Sequence, residues 1–169
     1  MEIGFSLGSN QGDRLEALRQ ARDRLCETAG AGLVAQSPVY ETEPVGVREE
    51  YRHLSFLNAV VVLESDTEAG EWLHRAHRVE REMGRTRGSD RFAPRPIDID
   101  ILYCGEHCLD SGILIVPHPR WADRRFVVQP LADVRPDLVL PGTCRTVRSI
   151  LASLPAGESV VRYADADAW

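Results

Sequence analysis

The stretch from Leu54 to Leu63 limits the fold of this chain more tightly than any other. Phe56, Leu57, Ala59, Val60, Val61 and Val62 form an almost unbroken apolar run, the pattern of a strand covered on both faces. The elements around it must therefore supply cover on two sides. Glu2 to Leu7 reads as a short strand ending in the turn-rich Gly8-Ser9-Asn10-Gln11-Gly12. Asp13 can cap a helix running to about Thr28, with Leu15, Leu18, Ala21 and Leu25 at three-to-four spacing and Gly30 as its stop. Leu33 to Thr42 reads as a strand interrupted near Pro38, followed by a polar loop from Glu43 to His53. Thr67 to Gly84 is a second helix with a stripe of Leu73, Ala76, Val79 and Met83, and Gly84 stands where helices end. Arg85 to Pro96 is an irregular linker, and Ile97 to Tyr103 is a strand.

The resulting order, β-α-β-β-α-β, is the ferredoxin-like split pattern. A hairpin over Cys104 to Val116, a Pro-rich loop, and short helices near Arg124 to Leu131 and Thr146 to Leu154 extend it. The expected class is α+β, an antiparallel-rich sheet with helices packed on it. At 169 residues the chain is expected to form one domain over 1–169. Ala59 to Leu63 is the longest uninterrupted apolar run, far short of the ~20 residues that cross a bilayer. Met1 to Phe5 has no basic leader pattern, so a cytoplasmic address is expected. In that compartment Cys26, Cys104, Cys108 and Cys144 are expected to be reduced thiols, mostly buried. Cys104 to Cys108 reads as a polar turn rather than a metal site.

All 20 basic residues are arginine. The absence of lysine excludes a P-loop nucleotide site and Schiff-base chemistry, and leaves arginine as the only side chain able to grip phosphate, through planar bidentate contacts. The net charge of −6 disfavours a general nucleic-acid binder. Residues 75–95 nevertheless hold seven arginines against three acids. A basic spot on an acidic body suits a small polyanion.

Downstream of that spot runs Ile97-Asp98-Ile99-Asp100-Ile101. Strand alternation puts the isoleucines on one face and the aspartates on the other, the carboxylates ~6.6–7 Å apart. Such a pair can hold one Mg²⁺ or share two. By itself Asp-x-Asp is also the solvated face of an ordinary strand, but Arg85, Arg87, Arg91 and Arg95 precede it on a loop to which Gly84 and Gly88 give freedom to move. Carboxylates for metal beside arginines for phosphate suit a metal–nucleotide site, with the loop as a lid. Strict alternation puts Arg95 on the face opposite Asp98, so the chain must twist near Pro96 if both serve one ligand. Elsewhere the residues leave two readings open. Asn58 can bond backbone or read a heterocycle edge, Phe56 and Phe126 are ordinary core aromatics by composition, and His74, His77 and Glu80 suit an exposed polar face.

Several motifs recur together in one order: Gly8-Ser9-Asn10; Tyr40 to Gly46; Phe56-Leu57-Asn58; Glu80 with Gly84-Arg85-Thr86-Arg87; Arg91 to Arg95 leading to Asp98-Ile99-Asp100; and Pro117-His118 through Arg124 and Phe126. This set resembles the 6-hydroxymethyl-7,8-dihydropterin pyrophosphokinase family over nearly the whole chain. The resemblance implies a three-layer α/β/α ferredoxin-like fold and a monomer that moves pyrophosphate from ATP to the pterin hydroxymethyl group in folate biosynthesis, releasing AMP. It implies catalytic roles for Arg85, Arg91, Arg95, Asp98 and Asp100, with Mg²⁺, two ions, on Asp98 and Asp100. It places ATP against His77, Glu80, Arg87, Phe92, Ile101, His118 and Arg124. It places the pterin against Thr42, Pro44, Val45, Phe56, Asn58, Asp98 and Phe126. Departures from the commoner pattern are mild: Glu43, Phe56, His77, Phe92 and Ala93. Two alternatives share the scaffold. An RNA-binding module is disfavoured by the acidic body and the lack of an aromatic RNP1-like run, and a non-catalytic nucleotide sensor would bind ATP without releasing AMP.

Overall fold

A computed structural model of the chain describes residues 1–27, 30–44, 47–86, 90, 93–157 and 159–169. In chain order they form β1 (Glu2–Ser9), α1 (Arg14–Cys26), β2 (Gly32–Gln36), β3 (Val39–Thr42), β4 (Phe56–Glu64), α2 (Ala69–Glu82), β5 (Asp98–Cys104), β6 (Leu109–Asp110), β7 (Ile115–Val116), α3 (Arg125–Val134), α4 (Val147–Ser153) and β8 (Val160–Ala164). The main sheet runs β5-β1-β4-β3-β8, with β2 also paired to β4, and every pairing is antiparallel. β6 and β7 form a separate two-stranded hairpin.

The apolar run in β4 divides its residues between two cores, as a doubly covered strand must. Leu57, Ala59, Val61 and Leu63 join Ile3, Phe5 and Leu7 of β1 under α1 and α2. Val60 and Val62 join Leu102 and Tyr103 under α3 and α4. Ile97, Ile99 and Ile101 all enter the first core, so Asp98 and Asp100 face the side of α3. Asp13 caps α1 as its sequence predicts, accepting from the Glu16 N–H at 3.1 Å. Gly84 closes α2 at φ +88°. Gly4 is required for another reason: a Cβ there would lie 2.2 Å from Tyr103 Cε1.

Three expectations need correction, and one strand has no counterpart among them. β1 runs on through Gly8 and Ser9 rather than turning at Gly8. The buried face of α2 is Trp72, Ala76, Val79 and Glu80, with Leu73 and Met83 only half-buried. Trp72 has more apolar surface to hide and packs edge-on against Phe5 with ring centroids 5.3 Å apart. β8, a short edge strand that leaves Val161 and Tyr163 exposed, carries no clear sequence signal. Of the four thiols only Cys104, which ends β5 inside the core, is buried; Cys26 is half-buried, and Cys108 and Cys144 are exposed. No helix among the described residues is long and apolar enough to cross a membrane.

Candidate active site

Sheet register builds the site. Gly8 pairs with Asn58 on one side and Asp98 on the other, so these three residues share a row and a face. One step along, Ser6 lies opposite Val60 and Asp100. At the centre of the row Gly8 adds no side chain. A Cβ there would stand 3.1 Å from Asn58 Oδ1 and 3.8 Å from Phe56 Cδ1, so the glycine keeps the floor of a recess open. Asn58 and Thr42 are 4% and 5% exposed. The Asn58 amide nitrogen donates to Thr42 Oγ1 at 2.7 Å, which fixes the amide and turns its oxygen toward Gly8. Phe56 and Phe126 line the same recess. Arg95 stands 5.8 Å from the Phe56 ring centroid, and Arg124 stands 5.6 Å from that of Phe126.

Asp98 is gripped from two sides. Arg85 Nη1 bridges its Oδ1 and Glu80 Oε1, and Arg95 Nη1 lies 3.1 Å from Asp98 Oδ2. The twist demanded near Pro96 is therefore present: Arg95 lies before β5 begins, where alternation no longer governs direction. Glu80 is 2% exposed and accepts from the Ile99 N–H at 2.9 Å. Burial and the neighbouring Asp98 charge push the Asp100 carboxyl up to about 6, with Arg124 and Arg85 opposing. Burial, with Arg124 and Arg120 alongside, holds the His118 imidazole below its ordinary value. Among the described residues no group of three or more His, Cys, Asp or Glu gathers for a metal. Two hard carboxylate donors fit Mg²⁺, which keeps water and substrate oxygens for its remaining positions.

A second recess opens on the other side of Asp98 and Asp100. It brings together His77, Glu80, Arg85, Ile101 and His118, with the β6–β7 hairpin as a wall through Ile113, Leu114 and Ile115. A third, polar hollow joins Arg85, Arg95 and Arg120 to the same aspartates. Of the residues the sequence assigns to ATP, Arg124 lines the first recess instead, beside Phe126. Pro44 is half-buried, and its neighbours Glu43 and Val47 line that recess. Val45 lies outside the described residues, as do Arg87, Arg91 and Phe92 of the expected lid. Sequence reasoning gives no role in the site to Ser6, Gly8, Arg120 or the predicted hairpin. Arg120 has a signal, a further arginine two positions after His118, and Gly8 falls in the Gly8-Ser9-Asn10 motif, but the place of Ser6 and Gly8 in the site emerges only from register.

An acid pair between guanidinium groups, at the meeting of two recesses, suits the transfer of phosphate groups between two substrates. A family model for 7,8-dihydro-6-hydroxymethylpterin-pyrophosphokinase matches residues 4–136, and the chain belongs to that family. It is 39% identical over 173 residues to the 2-amino-4-hydroxy-6-hydroxymethyldihydropteridine pyrophosphokinase of Mycobacterium tuberculosis, covering 95% of this chain and 88% of that protein. It is 40% identical over 130 residues to the Bacillus subtilis protein of the same name, covering 77% and 75%. It also matches the folate synthesis bifunctional protein of Arabidopsis thaliana, 40% identical over 133 residues; that match covers 79% of this chain but only 27% of the plant protein. Among solved structures, the Plasmodium falciparum HPPK-DHPS with pteroate shares the fold at a TM-score of 0.68 and 14% identity, covering 89% of this chain and 42% of the other.

Proposed function

We propose that the chain transfers pyrophosphate from ATP to the hydroxymethyl group of 6-hydroxymethyl-7,8-dihydropterin, releasing AMP, as a step of folate synthesis. The observation that carries this reading is the meeting of two unlike recesses at Asp98 and Asp100. The first, between Phe56 and Phe126 with the fixed Asn58 amide at its floor, suits a flat heterocycle with a hydrogen-bonding edge. The second, with an apolar hairpin wall at one end and Arg85 at the other, suits a nucleotide.

The chemistry follows from those positions. A new bond forms between the pterin alcohol oxygen and the β-phosphorus as the alcohol loses its proton to solvent, the bridge between the α- and β-phosphates breaks, and AMP leaves with the electron pair. Transfers of this kind are governed by positioning and charge neutralisation. The Thr42–Asn58 pair orients the pterin so that its alcohol points along the sheet toward Asp98. Arg85, Arg95 and Arg120 offset polyphosphate charge, and His118, held neutral with its Nδ1 accepting the Arg120 N–H at 3.1 Å, donates from Nε2 without adding to it. Asp98 and Asp100 are the residues that would hold Mg²⁺, one ion or two, and that metal would supply charge neutralisation for the polyphosphate and lower the pKa of the alcohol. Arg87, Arg91, Phe92 and Val45 keep the roles the family resemblance assigns them.

The reading extends to architecture. The order β5-β1-β4 with β2 and β3 beyond, α1 and α2 on one face and α3 and α4 on the other, supports a ferredoxin-like core in three α/β/α layers and one domain over 1–169. One chain carries both recesses, which supports a monomeric enzyme, and we assign it to the cytoplasm. The deciding experiment mixes the protein with ATP, Mg²⁺ and the hydroxymethyl-dihydropterin and follows AMP. Appearance of AMP in step with pterin pyrophosphate is expected; ATP binding with no AMP released overturns the proposal in favour of a sensor.

Asn58→Ala tests the pterin seat. Loss of one well-placed hydrogen-bonding amide costs ~1.5 kcal/mol, so pterin affinity is expected to fall about 10-fold with ATP affinity unchanged, by calorimetric titration of each substrate. Equal pterin affinity in variant and parent removes Asn58 from the seat.

A further inference from the structure

Asn10 stands one residue beyond β1 and is 4% exposed. Its side-chain Oδ1 accepts the Arg95 N–H at 2.8 Å, and its own backbone N–H donates to the Arg95 carbonyl at 3.3 Å. Both polar backbone groups of Arg95 are thus held by one residue 85 positions away. The β1–β5 ladder ends at Gly8 and Asp98, and beyond it Pro96 has no N–H with which to continue pairing. The Asn10 amide oxygen takes the place of the missing rung and ties down the chain just before the acid pair. From there the Arg95 guanidinium reaches Asp98 at 3.1 Å and the face of Phe56 at 5.8 Å. The Asn10 amide nitrogen is buried and makes no hydrogen bond among the described residues. An unpaired buried donor is costly, an arrangement that stability alone does not favour.

We infer that Asn10 is a positioning residue for turnover: it clamps the Arg95 backbone so that the guanidinium stays aimed at the junction of the two recesses. This rests on the role proposed for Arg95. A misplacement of about 1 Å in such an element costs up to ~10²-fold in rate. Asn10→Ala is therefore expected to lower kcat about 10- to 100-fold, with the KM for pterin changed less than about 3-fold. Asn10→Asp, which keeps the accepting oxygen, is expected to recover most of that loss.

A double-mutant cycle with Arg95→Ala gives the test, because a residue acting through Arg95 has little left to lose once Arg95 is gone. The Asn10→Ala effect is expected to shrink below about 3-fold in the Arg95→Ala background. Asn10→Ser, too short to reach the Arg95 N–H, replaces Asn10→Ala in the cycle if the alanine variant does not fold. The same fold-loss in both backgrounds, or a normal kcat in the Asn10 variant beside an impaired Arg95→Ala, overturns the clamp alone. Normal turnover by Arg95→Ala overturns both the clamp and the assignment beneath it.

Discussion

Asp98→Ala is expected to lower turnover by at least ~10³-fold while leaving the unfolding temperature within about 3 °C of the parent. The carboxylate is the common partner of Arg85 and Arg95 and lines the pterin-side recess, the nucleotide-side recess and the polar hollow between them. Half of the proposed metal-holding pair disappears with it, and metal-assisted charge stabilisation is worth several kcal/mol, ~4 kcal/mol being about three orders of magnitude in rate. The fold is expected to survive because the Asp98 side chain is 28% exposed and its arginine partners face recesses that water can enter. Removing it leaves Arg85 still paired with Glu80 and Arg95 lining the polar hollow, so the penalty of a buried unpaired charge is small. ATP binding without Mg²⁺ is expected to hold or tighten, since a negative charge has left the phosphate side. Turnover within about 10-fold of the parent, measured as AMP release, removes Asp98 from the reacting centre.

The acid pair is legible in the sequence because the information is local. Five residues, Ile97 to Ile101, contain their own alternation, and the isoleucines go to the core as the pattern demands. The arginine cluster is legible for a similar reason, as a charge imbalance within 21 residues. What escapes depends on register. Nothing near Gly8 in the sequence says that it lies between Asn58 and Asp98, residues 50 and 90 positions away. Its use, keeping a floor open, appears only when three strands are aligned. Glycine in a turn-rich tract reads as a turn, whereas here it is the last but one residue of a strand.

Phe56 and Phe126 show the converse. Composition alone makes them core residues, yet both are half-buried and line the first recess. An aromatic at the rim of a sheet can serve packing and a ligand together, and its sequence signal is the same for either. The family resemblance, rather than periodicity, separates the two. Arg124 marks where even that is coarse: a side chain this long reaches either recess from one backbone position, and here it lies over Phe126.

Glu80→Ala is expected to lower the unfolding temperature by about 6–12 °C and turnover by about 10²-fold. β5 is the outer strand of the sheet, so the Ile99 N–H has no strand beside it, and Glu80 supplies the acceptor at 2.9 Å. The same oxygen holds Arg85, which reaches on to Asp98. One buried carboxylate therefore fixes the edge of the strand that carries both aspartates, and one of the arginines facing them. Alanine strands a backbone donor and takes one of the two carboxylates from a guanidinium that is only 15% exposed. Breaking a buried pair on one side costs ~3–5 kcal/mol, and ~3 kcal/mol corresponds to about 6–12 °C in a chain of this size. Glu80→Gln separates the two duties. Its amide oxygen still accepts from Ile99 but brings no charge to Arg85, so most of the stability is expected to return while turnover stays well below the parent. If glutamine restores both in calorimetry and in AMP release, the Glu80 charge plays no part in setting Arg85, and the strand-edge hydrogen bond alone accounts for this residue.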